Sequence, residues 1–261
     1  MQQHNLQNSR FTQIVQRFSE LPEALKLYSP TPESITNPND EILVLHGIVN
    51  ADSKFPLLDN LAWLSEVQHI AYSYRRNPNG HRLLFSDGIF CELYLYSDNQ
   101  LQPGPAPNYY PQVWHNNSYS STDMPHFDQS CEGGKPAPLV GELLTNIIIG
   151  LRRFARGDKY LAFTNVQQTA LNHLLTLVEL WQPESSSTES ESGETETESN
   201  SEPNLESKYP ELAEHLPTFC GGYNNTPESA IAMLGYLENF LPINHFVKDQ
   251  IFNLANTCQK G

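Results

Sequence analysis

A glutamate in the middle of an apolar strand face is the first place where this sequence offers chemistry. Arg82-Leu83-Leu84-Phe85-Ser86 and Ile89-Phe90-Cys91-Glu92-Leu93-Tyr94-Leu95-Tyr96 are two β-rich runs joined by Asp87-Gly88. An Asp-Gly pair between such runs is the strongest short-range hairpin signal. With a two-residue turn, Glu92 stands opposite Leu83, on the face that also carries Phe85, Phe90 and Tyr94. A solvated or core-rim glutamate is the plain reading. The alternative is a carboxylate that is paired or coordinates a metal, because unpaired buried charge is rarely tolerated.

A second acidic strand lies upstream. Asn39-Asp40-Glu41-Ile42-Leu43-Val44-Leu45-His46 opens with acids and continues as an apolar run of strand length. Alternation places Asp40, Ile42 and Val44 on one face and Glu41, Leu43 and Leu45 on the other. Two-metal nucleotidyl transfer needs carboxylates at i and i+2 of one strand and a third on a neighbouring strand, holding Mg²⁺ ions about 3.5–4 Å apart. Asp40 and Glu92 supply two of the three, and the i+2 position is Ile42.

In this order and spacing the chain resembles the lincosamide nucleotidyltransferases and, more loosely, the aminoglycoside nucleotidyltransferases of the DNA-polymerase-β-like superfamily. That pattern is a Gly-Ser turn opening a helix, then Ser-Asp-x-Asp/Glu on a strand, then a third acid on a later strand. Tyr28-Ser29 falls on the Gly-Ser, Asn39-Asp40-Glu41-Ile42 on the Ser-Asp-x-Glu, and Glu92 on the third acid. The run Trp63 to Tyr74 with the following hairpin is similar to the second helix and central strands of that domain. Leu144 to Asp158 is similar to its first C-terminal helix, which ends in a basic residue, Arg-Gly and an acid. The resemblance covers roughly residues 10–180, and 208–258 more loosely.

The resemblance implies an α+β fold: a nucleotidyltransferase-like mixed-sheet domain with flanking helices, then an α-helical bundle. It implies Mg²⁺ and a nucleoside triphosphate as cofactors, Asp40 and Glu92 as catalytic metal ligands, and Ser29, Arg152 and Arg156 on the nucleotide's phosphates. Three positions depart from the pattern: Tyr28 for the glycine, Asn39 for the second serine, and Ile42 for the second metal carboxylate. A turn without glycine, followed by Pro30 and Pro32, cannot wrap backbone amides closely round a triphosphate. These losses favour a catalytically impaired protein that binds a small molecule or nucleotide, or regulates. The alternative is an active Mg²⁺-dependent enzyme that adenylylates a hydroxyl of a small molecule such as an antibiotic, with Glu41 substituting through a strand bulge or a one-residue slip.

Composition narrows the partners. The formal charge of the 261 residues is −15. Pro183–Ser207 alone carries eight glutamates and no basic residue, so the rest holds about −7. That tract cannot bury enough apolar surface to offset its ordering entropy and reads as a disordered insertion. The remainder has no basic stripe, which argues against nucleic acid. No stretch approaches a membrane span and no signal segment opens the chain, so a soluble cytoplasmic protein is expected, with a homodimer left open. Cys91, Cys131, Cys220 and Cys258 are widely spaced and read as reduced thiols.

The elements that must position these residues follow from periodicity. A helix over 11–18, strands near 24–28, 41–46, 81–86 and 89–96, and a helix over 57–66 make up the first domain, 1–102. Gln102-Pro103-Gly104-Pro105-Ala106-Pro107 opens a connecting loop, 103–138, over a cleft. Its His115, His126 and Asp128 fall on no single element face, so a metal site there is the weaker reading. The helical domain, 139–261, shows stripes at Leu144, Ile147/Ile148, Leu151 and Phe154, then at Leu171, Leu174, Val178 and Trp181. Gly157 caps the first stripe, and Thr226-Pro227-Glu228 starts a later helix. Arg152 and Arg156 share a helix face, where the macrodipole alone also favours arginine. Arg75-Arg76 reads as a solvated loop pair and His46 as a rim histidine.

Overall fold

The computed structural model describes residues 2–30, 42–104, 110–127, 129–182 and 204–259. Asp40, Glu41, Asp128 and most of the acidic tract lie outside the described residues. The chain divides into two compact units, residues 1–132 and 133–261, so the break falls inside the segment 103–138.

The first unit contains α1 (Gln2–Ser19), β1 (Ala24–Tyr28), β2 (Ile42–Val49), α2 (Lys54–Asp59), α3 (Ala62–Ser65), β3 (Ile70–Asn77), β4 (Gly80–Phe85), β5 (Phe90–Ser97) and β6 (Gln112–His115). The strands form one sheet in the order β3-β4-β5-β2-β1-β6. β2 and β5 run parallel, and every other neighbouring pair is antiparallel. The helix expected over 57–66 is two short helices. Asn60 takes an extended backbone between them, and its side-chain oxygen accepts the Ala62 N–H at 3.0 Å, a local bond that competes with helix continuation. Two strands escaped the sequence pattern: β3, which contains Arg75 and Arg76, and the edge strand β6.

The hairpin register also differs from expectation. Phe85 N–H bonds Ile89 O at 2.9 Å and Gly88 N–H bonds Phe85 O at 2.8 Å. The loop is therefore the three residues Ser86-Asp87-Gly88, with Gly88 in the left-handed region at φ 86°. This is the type I turn plus bulge that a glycine in third position permits. Leu83 then faces Cys91, and Glu92 faces Arg82 rather than Leu83. Arg10 on α1 anchors the loop through an ion pair to Asp87 at 2.6 Å and a bond to Val67 O at 2.9 Å.

The two faces of the sheet bury different chemistry. Leu27, Leu45, Leu83, Phe85, Cys91, Leu93 and Leu95 pack with Ile14 and Phe18 of α1, Leu58 of α2 and Trp63 and Leu64 of α3 in one apolar core. Lys26, Tyr28, Val44, His46, Ile48, Tyr74, Arg82, Glu92, Tyr94 and Tyr96 alternate with these and take the opposite face. There Tyr110 and Met124 join Leu25, Tyr28 and Ile48 in a smaller cluster, with Tyr119 and Phe127 packed against it.

The second unit is helical: α4 (Pro136–Ala155), α5 (Lys159–Phe163), α6 (Leu171–Trp181), α7 (Leu205–Lys208), α8 (Pro210–Phe219), α9 (Thr226–Glu238) and α10 (His245–Cys258), with a π-helical stretch, Thr164–Ala170, between α5 and α6. α4 buries the expected stripe of Leu144, Ile147, Ile148, Leu151 and Phe154, and Gly157 follows it at φ 92°. The cap of α9 is Asn225, one residue earlier than expected, with Pro227 in the first turn. The acidic tract also ends earlier than its composition suggests. Asn204 caps α7 by accepting the Ser207 N–H at 2.8 Å, so Leu205–Ser207 are helical.

Candidate functional site

Adjacent strands of the mixed face bring one carboxylate against two guanidinium groups. Arg82 Nε donates to Glu92 Oε1 at 3.0 Å, and Arg82 Nη2 pairs with the same oxygen. Arg76 Nη1 lies 3.1 Å from Glu92 Oε2, which also accepts the Tyr94 hydroxyl at 2.9 Å. Tyr94 in turn accepts from Arg76 Nη1 at 2.6 Å, and Arg82 Nη1 donates to the Tyr74 hydroxyl at 3.2 Å. Glu92 is only 5 % exposed, Arg82 7 % and Arg76 9 %. Burial alone would push the Glu92 carboxyl up, but the charges of Arg82 and Arg76 and the bonds from Arg82 and Tyr94 outweigh it and hold it below the ordinary carboxylate range. Burial and the neighbouring Glu92 charge push the Tyr94 hydroxyl far up, so it stays a donor.

Tyr94 needs room for this role, and Gly80 gives it. Gly80 is the β4 partner of Tyr94, and a Cβ there would lie 2.2 Å from the Tyr94 ring. The other side of Tyr94 stacks on His46, with ring centres 4.9 Å apart and planes 11° from parallel. His46 is wholly buried, not at a strand rim. Tyr110 and Phe127 close over it at 4.8 and 4.5 Å between centres. Its Nδ1 lies 3.3 Å from the Tyr96 hydroxyl and its Nε2 3.1 Å from Gln129 Nε2, which also donates to the Tyr110 hydroxyl. An amide nitrogen only donates, so His46 Nε2 is the acceptor and Nδ1 carries the proton. Desolvation lowers the imidazole from its ordinary 6.5 to about 3, against a smaller opposing pull from Glu92.

The residues singled out in the sequence are dispersed over these features. Parallel pairing sets Val44 beside Glu92 and Ile42 beside Phe90, so Ile42 and Val44 share the Glu92 face. Asp40 lies outside the described residues. Ser29 is buried and its hydroxyl donates to Val44 O at 2.7 Å. Arg152, in the last turn of α4, and the following Arg156 belong to the second unit. His115 and His126 are both exposed. Arg75-Arg76 is not a solvated pair: Arg75 bonds Asp59 on the surface at 2.7 Å, whereas Arg76 turns inward to Glu92. The alternation Tyr72, Tyr74, Arg76 was the available sign of a strand there. Cys91, Cys131, Cys220 and Cys258 are all free thiols.

A Mg²⁺ centre needs carboxylate oxygens open to the ion. Both oxygens of Glu92 are engaged by guanidinium groups, and among the described residues no three His, Cys, Asp or Glu side chains are grouped to hold a metal. The described residues do not fit a two-metal centre. Among them, no helix is long and apolar enough to cross a membrane.

No protein-family model matches the chain, and no curated protein matches it. Among solved structures, an aminoglycoside 6-adenyltransferase from Bacillus subtilis is similar over 95 % of this chain and 94 % of its own, at 11 % identity and a TM-score of 0.28. A likeness at that score says nothing of this chain's chemistry.

Proposed function

We propose that this chain is a nucleotidyltransferase-like protein that binds a small molecule or nucleotide, in a regulatory or sequestering role, and does not perform two-metal nucleotidyl transfer. One observation carries the reading: the acid on which the motif places the third metal ligand is the counter-ion of two buried arginines. Ile42, at the position of the bridging carboxylate, lies on the same face and supplies no oxygen ligand. Releasing Glu92 to a metal would strand two guanidinium groups in a buried site, and an uncompensated buried charge is costly.

In the first unit the group proposed to meet phosphate is Ser29, and in the second, taken by itself, Arg152 and Arg156. Ser29 must first give up the Val44 carbonyl before its hydroxyl can reach a ligand. The test has two arms. Labelled ATP and GTP with Mg²⁺ or Mn²⁺ are screened against aminoglycosides, lincosamides and other hydroxyl acceptors, with no transferred label expected. The thermal midpoint is read with each nucleotide, with and without Mg²⁺, and an equal rise in both conditions is expected. Efficient transfer that vanishes in Asp40→Asn or Glu92→Gln would overturn the reading and establish an active transferase.

A further inference from the structure

The mixed face of the sheet is covered by chain that has no helix and little regular hydrogen bonding. From Asn116 to Phe127 the backbone-to-backbone bonds are Asn116 N–H to Leu25 O, Tyr119 N–H to Asn116 O, and a two-bond bridge between Gln102 and Met124, each at 2.9 Å, and the Ser118 and Asp123 N–H groups bond the side chains of Asn116 and Ser121. Side chains do the rest. Lys26 of β1 donates to Ser121 O and sits over the Tyr119 ring, and Phe127 packs on Tyr28, His46, Tyr96 and Tyr110. At its far end Gln129 ties His46 to Tyr110. We propose that residues 116–127 are an acid-released strap over the sheet face that carries Glu92, with His46 and Gln129 as its latch.

The geometry carries the inference. In the arrangement present, His46 Nε2 accepts from the Gln129 amide nitrogen, and a proton arriving on Nε2 sets a donor against that donor. The protonated ring would also be a cation sealed among Tyr94, Tyr96, Tyr110 and Phe127, with no carboxylate bonded to it among the described residues. Among the described residues, the charged groups on that face are Glu92, already committed to Arg76 and Arg82, and Lys26 with the nearby Asp123 on the strap, while Asp98 and Asp123 both act on the Tyr119 hydroxyl of the strap. Glu92 remains ionised through the relevant range. The neutral hydroxyls of Tyr28 and Tyr94 are shifted upward and do not titrate there.

The sign follows from linkage. The closed state holds His46 near 3, and lifting the strap returns a hydrated imidazole to about 6.5. The open state therefore gains protons as pH falls below 6.5, and acid favours opening. Between pH 7 and pH 5 the open-to-closed ratio rises by roughly 25-fold on these two values.

Amide hydrogen exchange on the full chain reads this opening. After correction for intrinsic rates, the Met124 and Gln102 amides, each of which donates to the other residue's carbonyl oxygen, should exchange about 25-fold faster at pH 5 than at pH 7. The Leu95 amide, bonded to Asn79 O within the sheet, should not change. His46→Gln should abolish the acceleration, whereas His126→Gln, at an exposed strap histidine, should keep it. Should His46→Gln fail to fold, Gln129→Glu offers a second reading: its carboxylate accepts the Nε2 proton and should hold the strap closed at pH 5. Equal protection at both pH values, equal acceleration in His46→Gln or Gln129→Glu, or parallel loss at Leu95 would each overturn the proposal.

Discussion

Replacing Glu92 by glutamine separates two roles for this acid by the sign of one number. As counter-ion, Glu92 engages Arg82 through Oε1 and Arg76 through Oε2, and all three side chains are close to fully buried. Removing one partner of such a pair costs about 3–5 kcal/mol, and the figure needs little discount for solvent screening at this burial. Glutamine keeps one oxygen to accept from Arg82, so Glu92→Gln should cost about 3 kcal/mol. A carboxylate kept open for a metal behaves the opposite way: it is a stored desolvation cost, and neutralising it stabilises the metal-free protein. The assay is urea unfolding of wild type, Glu92→Gln, Arg82→Met and the double variant, followed by a spectroscopic probe of the first unit. A coupling of at least about 2 kcal/mol is expected between the two sites.

The pH dependence adds a check. The folded carboxyl of Glu92 lies below its ordinary 4.5, so its stabilisation is complete above that value and is lost as pH falls toward the folded one. The gap between wild type and Glu92→Gln should thus be flat from pH 8 to about 5.5 and narrow only below about 4.5. A Glu92→Gln protein as stable as wild type, or more stable, would refute the counter-ion role.

Three further outcomes are expected from the same structure. Gly80→Ala forces a methyl group into the Tyr94 ring and should cost about 1–3 kcal/mol by overpacking, with a change in tyrosine near-ultraviolet dichroism as the local signature. Asp87→Asn weakens the Arg10 ion pair, whose side chains are 8 % and 17 % exposed; a loss of about 1–2 kcal/mol in thermal unfolding is expected, with faster exchange at Gly88. In the second unit Gln167 donates to Gly222 O at 2.8 Å and accepts Gly222 N–H at 2.9 Å. Gln167→Leu should therefore cost about 1–3 kcal/mol and deprotect the Gly222 amide.

Much of the scaffold can be read from the sequence because local pattern and tertiary burial agree there. Ala24–Tyr28 is a strand as expected, and the α4 stripe from Leu144 to Phe154 is buried with glycine following it. The site is less legible for two physical reasons. Asp-Gly supports loops of either two or three residues, and that single step changes the partner of Glu92 from Leu83 to Arg82. Arg76 stands beside Asn77-Pro78-Asn79-Gly80, a strong turn signal that masks the alternation Tyr72, Tyr74, Arg76, and its pairing with Glu92 on β5 joins residues that are not neighbours in sequence. His46 reads as a rim residue because the apolar run breaks at it, yet β2 continues three residues further, through Gly47 to Val49.

Whether Glu92 serves arginine or a metal is reported by its own carboxyl carbon. With ¹³C-labelled glutamate, the Glu92 signal should titrate below the ordinary carboxylate range and remain sharp in millimolar Mn²⁺, with or without ATP. Paramagnetic broadening of that signal saturating at micromolar Mn²⁺, together with release of Arg82, would show instead that Glu92 is a metal ligand.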